Sequence, residues 1–145
     1  MGQAKELVDR AWQAIEAHTL DNLSELYAPD VEITHPGGIR LRGPEQLRPF
    51  LEAYLAAFPD LRHESVDWVE SGDTIAVELR TTGTHSGPLH TPDGTIPPTG
   101  KHFLWESVDF IKVEGGKITF WHTYLDQVPF LTQLGLLSAP ASAQM

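Results

Sequence analysis

The sequence predicts an α+β fold, with helices packed on one face of a curved antiparallel sheet. Three observations predict it. Apolar residues recur at helical spacing early in the chain, at Leu7, Val8, Ala11, Trp12 and Ile15, then at Leu47, Phe50, Leu51, Tyr54, Leu55 and Phe58. From residue 62 onward the apolar period shortens to two, over 62–70, 74–85, 102–114 and 117–126. The turn-forming stretches "ESGDT" and "EGGK" join these runs as hairpins. Helices first and a meander afterwards indicate segregated α+β packing.

Each element follows in order. Residues 4–18 form an amphipathic helix with its charges opposite the apolar stripe. Asp21 is placed to cap a short helix, "NLSELYA", which Pro29 ends. "VEITH" alternates as a strand, with Val31, Ile33 and His35 on one side and Glu32 and Thr34 on the other, and "PGG" breaks it. Pro44 opens the second long helix and "PD" closes it. Gly115 and Gly116 suit a two-residue turn that needs positive φ. "GPLHTPDGTIPPTG" is too rich in Pro and Gly to pair in a sheet, so 86–100 reads as a long loop gating a site. "VPFLTQLGLL" reads as a short helix, and about 138–145 as a frayed tail. No internal repeat occurs, and 1–145 is expected to be a single domain.

Composition removes several function classes. The 145 residues are 41% hydrophobic and 21% charged, a globular balance. A net charge of -10 without a Lys/Arg stripe repels phosphate backbones, so nucleic acid is excluded as a partner. There is no cysteine, hence no disulfide and no thiolate chemistry. No apolar run approaches the ~20 residues of a membrane span and no signal core opens the chain. A cytoplasmic protein that does not engage membranes is expected.

The stretch "KITFWHTYLDQ" carries the chemistry. With Gly115-Gly116 as the turn, Asp109 stands opposite His122, Ser107 opposite Tyr124 and Trp105 opposite Asp126. Ile111 and Val113 pair with Phe120 and Ile118, and this apolar end fixes which face is buried. Ile75, Val77 and Leu79 continue that face, which brings Thr81, His85 and His35 inward too. The inner surface is then aliphatic at one end and His, Tyr, Trp and Asp at the other, like a cavity wall. A carboxyl there has a raised pKa, because desolvation penalises its ionised form, and can take and return a proton. Asp126 is the candidate.

Plainer readings stand beside this one. Asp126 caps the C-terminal helix ahead of Pro129, a role compatible with the first. Asp109 and His122 form an exposed cross-strand ion pair worth only ~0.2–1 kcal/mol. His35 and His85 are structural histidines, and the Trp and Phe stripes are core. His35, His85, His122 and Asp126 would suit a zinc or manganese ion by type, yet no H-E-x-x-H or H-x-H spacing supports it. "GTHSG" lacks the spacing of a serine nucleophile elbow, and no glycine-rich nucleotide loop occurs.

The segments "AAFPDLR", "GDTIAVELRTTGTHSG", "IPPTGK", "GGKITFWHTYLDQ" and "QLG", taken in order, resemble the SnoaL-like polyketide cyclases. These are ester cyclases of the nuclear-transport-factor-2-like superfamily. The resemblance implies a cone-shaped barrel, a curved antiparallel sheet wrapped around N-terminal helices with an apolar cavity between them. It implies an intramolecular aldol cyclisation or related isomerisation of a small apolar carbonyl compound, without metal or cofactor. The family's general acid/base is an aspartate on the last strand, which matches Asp126. Around it, His122, oriented by Asp109, would tune Asp126 or bind a substrate oxygen, as would His35 and Tyr124. Trp105 and Phe120, with Tyr54, Leu55 and Phe58, would form the walls, with His85 among the inward polar groups. Two alternatives remain open: a non-catalytic binder of a small apolar ligand, and an assembly module using outward Trp121, Leu125, Thr82 and Thr84. A homodimer or higher homo-oligomer is expected alongside the pocket.

Overall fold

The computed structural model describes residues 2–91, 94–125 and 127–136. Asp126, the residue the sequence singles out most strongly, lies outside the described residues, as does the tail from 137. Helix α1 (Gln3–Glu16) buries Ala4, Leu7, Val8, Ala11 and Ile15, the predicted stripe. A single turn, α2 (Leu23–Leu26), leads into β1 (Tyr27–His35). Pro29 does not end the helix; it sits within β1, in the stretch where pairing with the neighbouring strand shifts register between Tyr27 and Glu32. Proline is tolerated there because a bulge needs no ladder N–H. Strand β2 (Ile39–Arg42), too short to show a period, turns back on β1.

Helix α3 (Gly43–Ala57) carries Pro44 in its first turn and buries Leu47, Leu51, Leu55 and Ala57. Strands β3 (Arg62–Ser71), β4 (Thr74–Thr84), β7 (His102–Glu114) and β8 (Lys117–Leu125) form the predicted meander. Within the loop read as unable to pair, β5 (Leu89–Thr91) and β6 (Gly94–Ile96) form a small separate hairpin, with Leu89 opposite Ile96. Its prolines flank the paired residues, so three-residue strands survive. The main sheet runs β2-β1-β8-β7-β4-β3 and is antiparallel except where β1 joins β8 in parallel. A sheet expected to be antiparallel is therefore mixed. Residues as distant as Ile33 and Trp121 pair there, which no local pattern encodes.

Two family segments meet at one corner. The backbone N–H groups of Ser86 and Gly87 both donate to the carbonyl of Ala57, satisfying the last turn of α3. The Asp60 carboxylate accepts from the N–H and hydroxyl of Thr84, each at 2.7 Å. Gly87 is required by space: a Cβ there would stand 1.8 Å from the Ala56 carbonyl oxygen.

The "QLG" segment closes the other end. Helix α4 (Gln127–Gln133) lays Phe130 against Phe58, Phe103 and Trp105, at ring-centroid distances of 6.1, 5.0 and 5.1 Å. The Gln133 side chain pairs with the Leu104 backbone like a strand, accepting from its N–H at 2.7 Å and donating to its carbonyl at 2.9 Å. Gly135, at φ 76°, ends the helix; the N–H of Leu136 returns to the Leu131 carbonyl and that of Gly135 to Thr132. This is the Schellman arrangement, which glycine adopts without a Cβ penalty. No helix among the described residues is long and apolar enough to cross a membrane.

Strand β7 alternates without a break, with Phe103, Trp105, Ser107, Asp109, Ile111 and Val113 inside. Strand β8 does not. Its first pairs are Glu114 with Lys117 and Val113 with Ile118, as predicted, but Lys112 then lies opposite Phe120. Thr119 is the extra residue. Past this bulge Asp109 faces Thr123 rather than His122, and every later β8 side chain is on the opposite face from the one predicted.

Candidate active site

Between α1, α3 and the inner face of the sheet lies a cavity enclosing about 80 Å³. Six aromatic rings stand in its walls among aliphatic side chains: Trp12 from α1, Tyr27 from β1, Phe50 and Tyr54 from α3, Trp105 from β7 and Trp121 from β8. At His35 and Thr123 it meets an open recess of about 740 Å³, bordered by the β1–β2 turn, Arg40, Tyr124 and Leu125. Cavity and recess together form a chamber with a wide mouth.

Polar groups cross this chamber in one row. Thr34 pairs with His122, so the next residues, His35 and Thr123, are neighbours on the inner face, and Thr123 pairs with Asp109. The Asp109 side chain is buried at 1% exposure. Trp121 Nε1 donates to its Oδ2 at 2.7 Å, Thr123 Oγ1 to the same oxygen at 3.3 Å, and Ser107 Oγ to Oδ1 at 3.0 Å. Burial pushes the Asp109 carboxyl up to about 6, against the lowering effect of these three donors. The charge of Asp109, after burial itself, raises the phenol of Tyr27. His35 Nε2 lies 2.9 Å from the Tyr54 hydroxyl, and burial pushes its imidazole down to about 4. Near neutral pH this histidine is an uncharged hydrogen-bonding group.

A second polar strip runs along α1 and β3. Trp12 stacks on His63 at 4.1 Å and meets Trp121 edge-on at 4.8 Å. His63 is held by Glu16, whose Oε2 lies 3.0 Å from Nδ1. Two buried atoms on the cavity wall, Trp12 Nε1 and Thr81 Oγ1, have no hydrogen-bond partner among the described residues. A buried donor left unpaired costs about 1–3 kcal/mol. Such atoms in a ligand-sized hollow suit groups that a ligand would satisfy.

The sequence-predicted residues divide into three sets. His35, Tyr54, Trp105 and Asp109 line the cavity. Phe58 and His85 are buried behind it: Phe58 packs on Tyr54 and Phe103, and His85 packs on Phe58 with Nδ1 3.1 Å from Thr99 Oγ1. Phe120, His122 and Tyr124, expected inside, lie on the outer face because of the Thr119 bulge. There His122 stacks on Phe120 at 3.9 Å and its Nε2 lies 3.0 Å from Thr34 Oγ1, while Tyr124 is 62% exposed at the rim of the recess. Asp109 consequently does not orient His122. The histidines of the alternative metal set are on different sides: His35 within, His122 outside, His85 behind Phe58. Trp121 and Leu125, expected outside, pack inward, and the outer sheet face instead exposes Val108, Phe110 and Tyr124.

The sequence reading missed Trp121 and Thr123 as cavity residues. One signal existed: Ile118 and Trp121 are both large and three apart, which a regular strand cannot put on one face. Trp12 belongs by spacing to the apolar stripe of α1, and nothing in that spacing marks its N–H as unpaired among the described residues.

The sequence profile of the SnoaL-like polyketide cyclases matches residues 6–134. The chain belongs to this family. Among relatives, aklanonic acid methyl ester cyclase DnrD of Streptomyces peucetius is 28% identical over 135 residues, covering 90% of this chain and 89% of the relative. The structure of IdmH from Streptomyces antibioticus superposes with a TM-score of 0.75 at 30% identity, over 92% of this chain and 99% of the other. A protein with a ketosteroid isomerase-like fold from Catenulispora acidiphila gives 0.76 at 21% identity, over 93% and 98%, a likeness of fold alone. The fold is likewise shared with an ntf2-like protein from Burkholderia pseudomallei, at a TM-score of 0.74 and 18% identity over 92% of this chain and 98% of the other.

Proposed function

We propose that this member of the family is an enzyme that closes a ring in an apolar carbonyl compound by intramolecular aldol addition, with Asp126 as general acid/base. The observation that carries the reading is the enclosed, ring-walled chamber with a buried carboxyl, a neutral His35–Tyr54 pair and two unpartnered polar atoms on its wall. Burial of aromatic substrate surface against Trp105, Trp12 and Tyr54 would supply affinity, at roughly 25 cal/mol per Å² of apolar surface covered. Size sets the pose. A volume of about 80 Å³ takes one ring-sized portion, and the rest of a larger substrate would lie in the recess between Arg40 and Tyr124. The assignment of Asp126 rests on the family motif. The His35–Tyr54 pair would hold a carbonyl oxygen by a neutral hydrogen bond.

The substrate named in the relative DnrD, aklanonic acid methyl ester, is the first compound to assay. The expected result is conversion by the wild type to a ring-closed isomer of equal mass, separated by chromatography. Asp126→Asn should fold normally and turn over about 10²–10⁴ times more slowly. Saturable binding by the wild type without conversion would support the alternative, a non-catalytic binder using the same chamber.

A further inference from the structure

We infer that Asp109 is a second catalytic carboxyl, which gives its proton to the acceptor carbonyl oxygen as the new carbon–carbon bond forms. The inference rests on the cyclase reading above and adds a proton donor to it. Asp109 lines the cavity at 1% exposure, and its partners are three neutral donors: Ser107, Trp121 and Thr123. A carboxylate has about four lone-pair sites. Oδ2 accepts two hydrogen bonds and Oδ1 one, so the described residues leave a site on Oδ1 unfilled. A proton, or a ligand hydroxyl donating to it, completes the set.

Among the described residues, no Lys or Arg lines the cavity that holds this carboxyl; Arg40 borders only the outer recess. Besides Asp109, the titratable groups lining the cavity are Tyr27 and His35 from β1, Tyr54 from α3 and His63 from β3, the last bound to Glu16 of α1. Burial lowers both histidines, so neither offers a positive charge near neutrality, and both phenols are raised. Without a cation, burial keeps the proton on Asp109 up to about pH 6. A buried carboxyl used only for architecture is normally paired with a positive charge. The unpaired Trp12 Nε1 is a separate sign of a ligand here, because Trp12 contacts the same Trp121 that holds Asp109.

The step balances without an oxidant or reductant. The C–H bond next to the donor carbonyl breaks and its proton passes to the Asp126 carboxylate. The new carbon–carbon bond forms at the acceptor carbonyl carbon, whose π pair moves onto oxygen. That oxygen takes the proton from the Asp109 carboxylic acid, giving a hydroxyl. The product is an isomer of the substrate, and one proton exchanged through solvent restores Asp126 and Asp109.

The test combines turnover with a readout independent of it. With aklanonic acid methyl ester, wild-type kcat should fall as pH rises through about 6–7. Asp109→Asn should lower kcat about 10²-fold with KM nearly unchanged, and should abolish that limb of the profile. Trp121→Phe removes a donor to the carboxylate and should move the limb to higher pH. Carboxyl ¹³C NMR of the wild type, with and without 1,8-dihydroxyanthraquinone, should show Asp109 titrating near 6 and shifting with ligand. If Asp126→Asn is inactive but Asp109→Asn keeps both kcat and the limb, the inference falls and the cyclase reading stands. If the wild type binds the substrate without converting it, both fall. Should Asp109→Asn fail to fold, the wild-type titration decides: an Asp109 value at or below about 4, or one indifferent to the anthraquinone, overturns the inference.

Discussion

Trp121 and Asp109 are joined across neighbouring strands by a 2.7 Å hydrogen bond from the indole Nε1 to Oδ2. The bond exists because one extra residue in β8, Thr119, rotates Trp121 from the outer face to the inner. It holds in place a carboxyl that is buried from solvent. Site chemistry and strand irregularity thus have one origin, and the link generates measurable consequences.

Asp109 should make stability fall as pH rises. Its folded pKa, about 6, lies above the ordinary 3.8, so the folded state holds the proton more tightly than the unfolded chain. Its contribution is fully present below about pH 4, is lost between about 4 and 6, and stays lost above. The stability difference between wild type and Asp109→Asn should therefore change by about 3 kcal/mol across that window. Urea denaturation at several pH values measures it, and a constant difference would contradict the burial argument.

His35 should act in the opposite sense. Its folded pKa, about 4, lies below the ordinary 6.5, so its contribution is present above about pH 6.5 and lost as pH falls toward 4. His35→Gln should flatten the acid side of the stability curve by up to about 3 kcal/mol. The same denaturation series reads this, and an unchanged acid slope would show that His35 reaches solvent.

Trp12→Phe removes a buried N–H that lacks a partner among the described residues and keeps an aromatic ring on His63. Folding stability should change little, since the lost indole packing and the removed polar penalty oppose each other. Affinity for 1,8-dihydroxyanthraquinone should drop about tenfold, about 1.4 kcal/mol, if the N–H serves a ligand oxygen. Fluorescence titration checks it. Equal affinity would leave the indole as packing alone.

Gly87→Ala should destabilise by about 3 kcal/mol or more, because the added methyl meets backbone rather than a flexible side chain. Phe130→Ala should cost a similar amount, about 3–5 kcal/mol, by opening a hole among Phe58, Phe103 and Trp105. Thermal unfolding separates both from silent substitutions.

These cases show what local pattern can encode. The stripes of α1 and α3 and the strict alternation of β7 were legible, and with them Tyr54, Trp105 and Asp109 as inward residues. Hydrophobic period alone fixes those faces, because the alternative buries charge. The phase of β8 after Thr119 was not legible, since a bulge is decided by how two strands and the helix beneath them fit. Hence an unbroken period of two places Phe120, His122 and Tyr124 inward and Trp121 and Thr123 outward, the reverse of their positions in the fold. The parallel pairing of β1 with β8 was hidden for a different reason: it joins residues such as Thr34 and His122, far apart in the chain. The hairpin β5–β6 was hidden by its prolines.

The central claim is that the chamber moves protons rather than merely holding a ligand. The most direct measurement is conversion of aklanonic acid methyl ester by wild type, Asp126→Asn and Asp109→Asn under single-turnover conditions across pH 5–9. Ring closure by the wild type, a loss of about 10²-fold or more in each variant, and disappearance of the limb near pH 6 in Asp109→Asn are the predicted results. Saturable binding by all three proteins with no ring closure in any would contradict it.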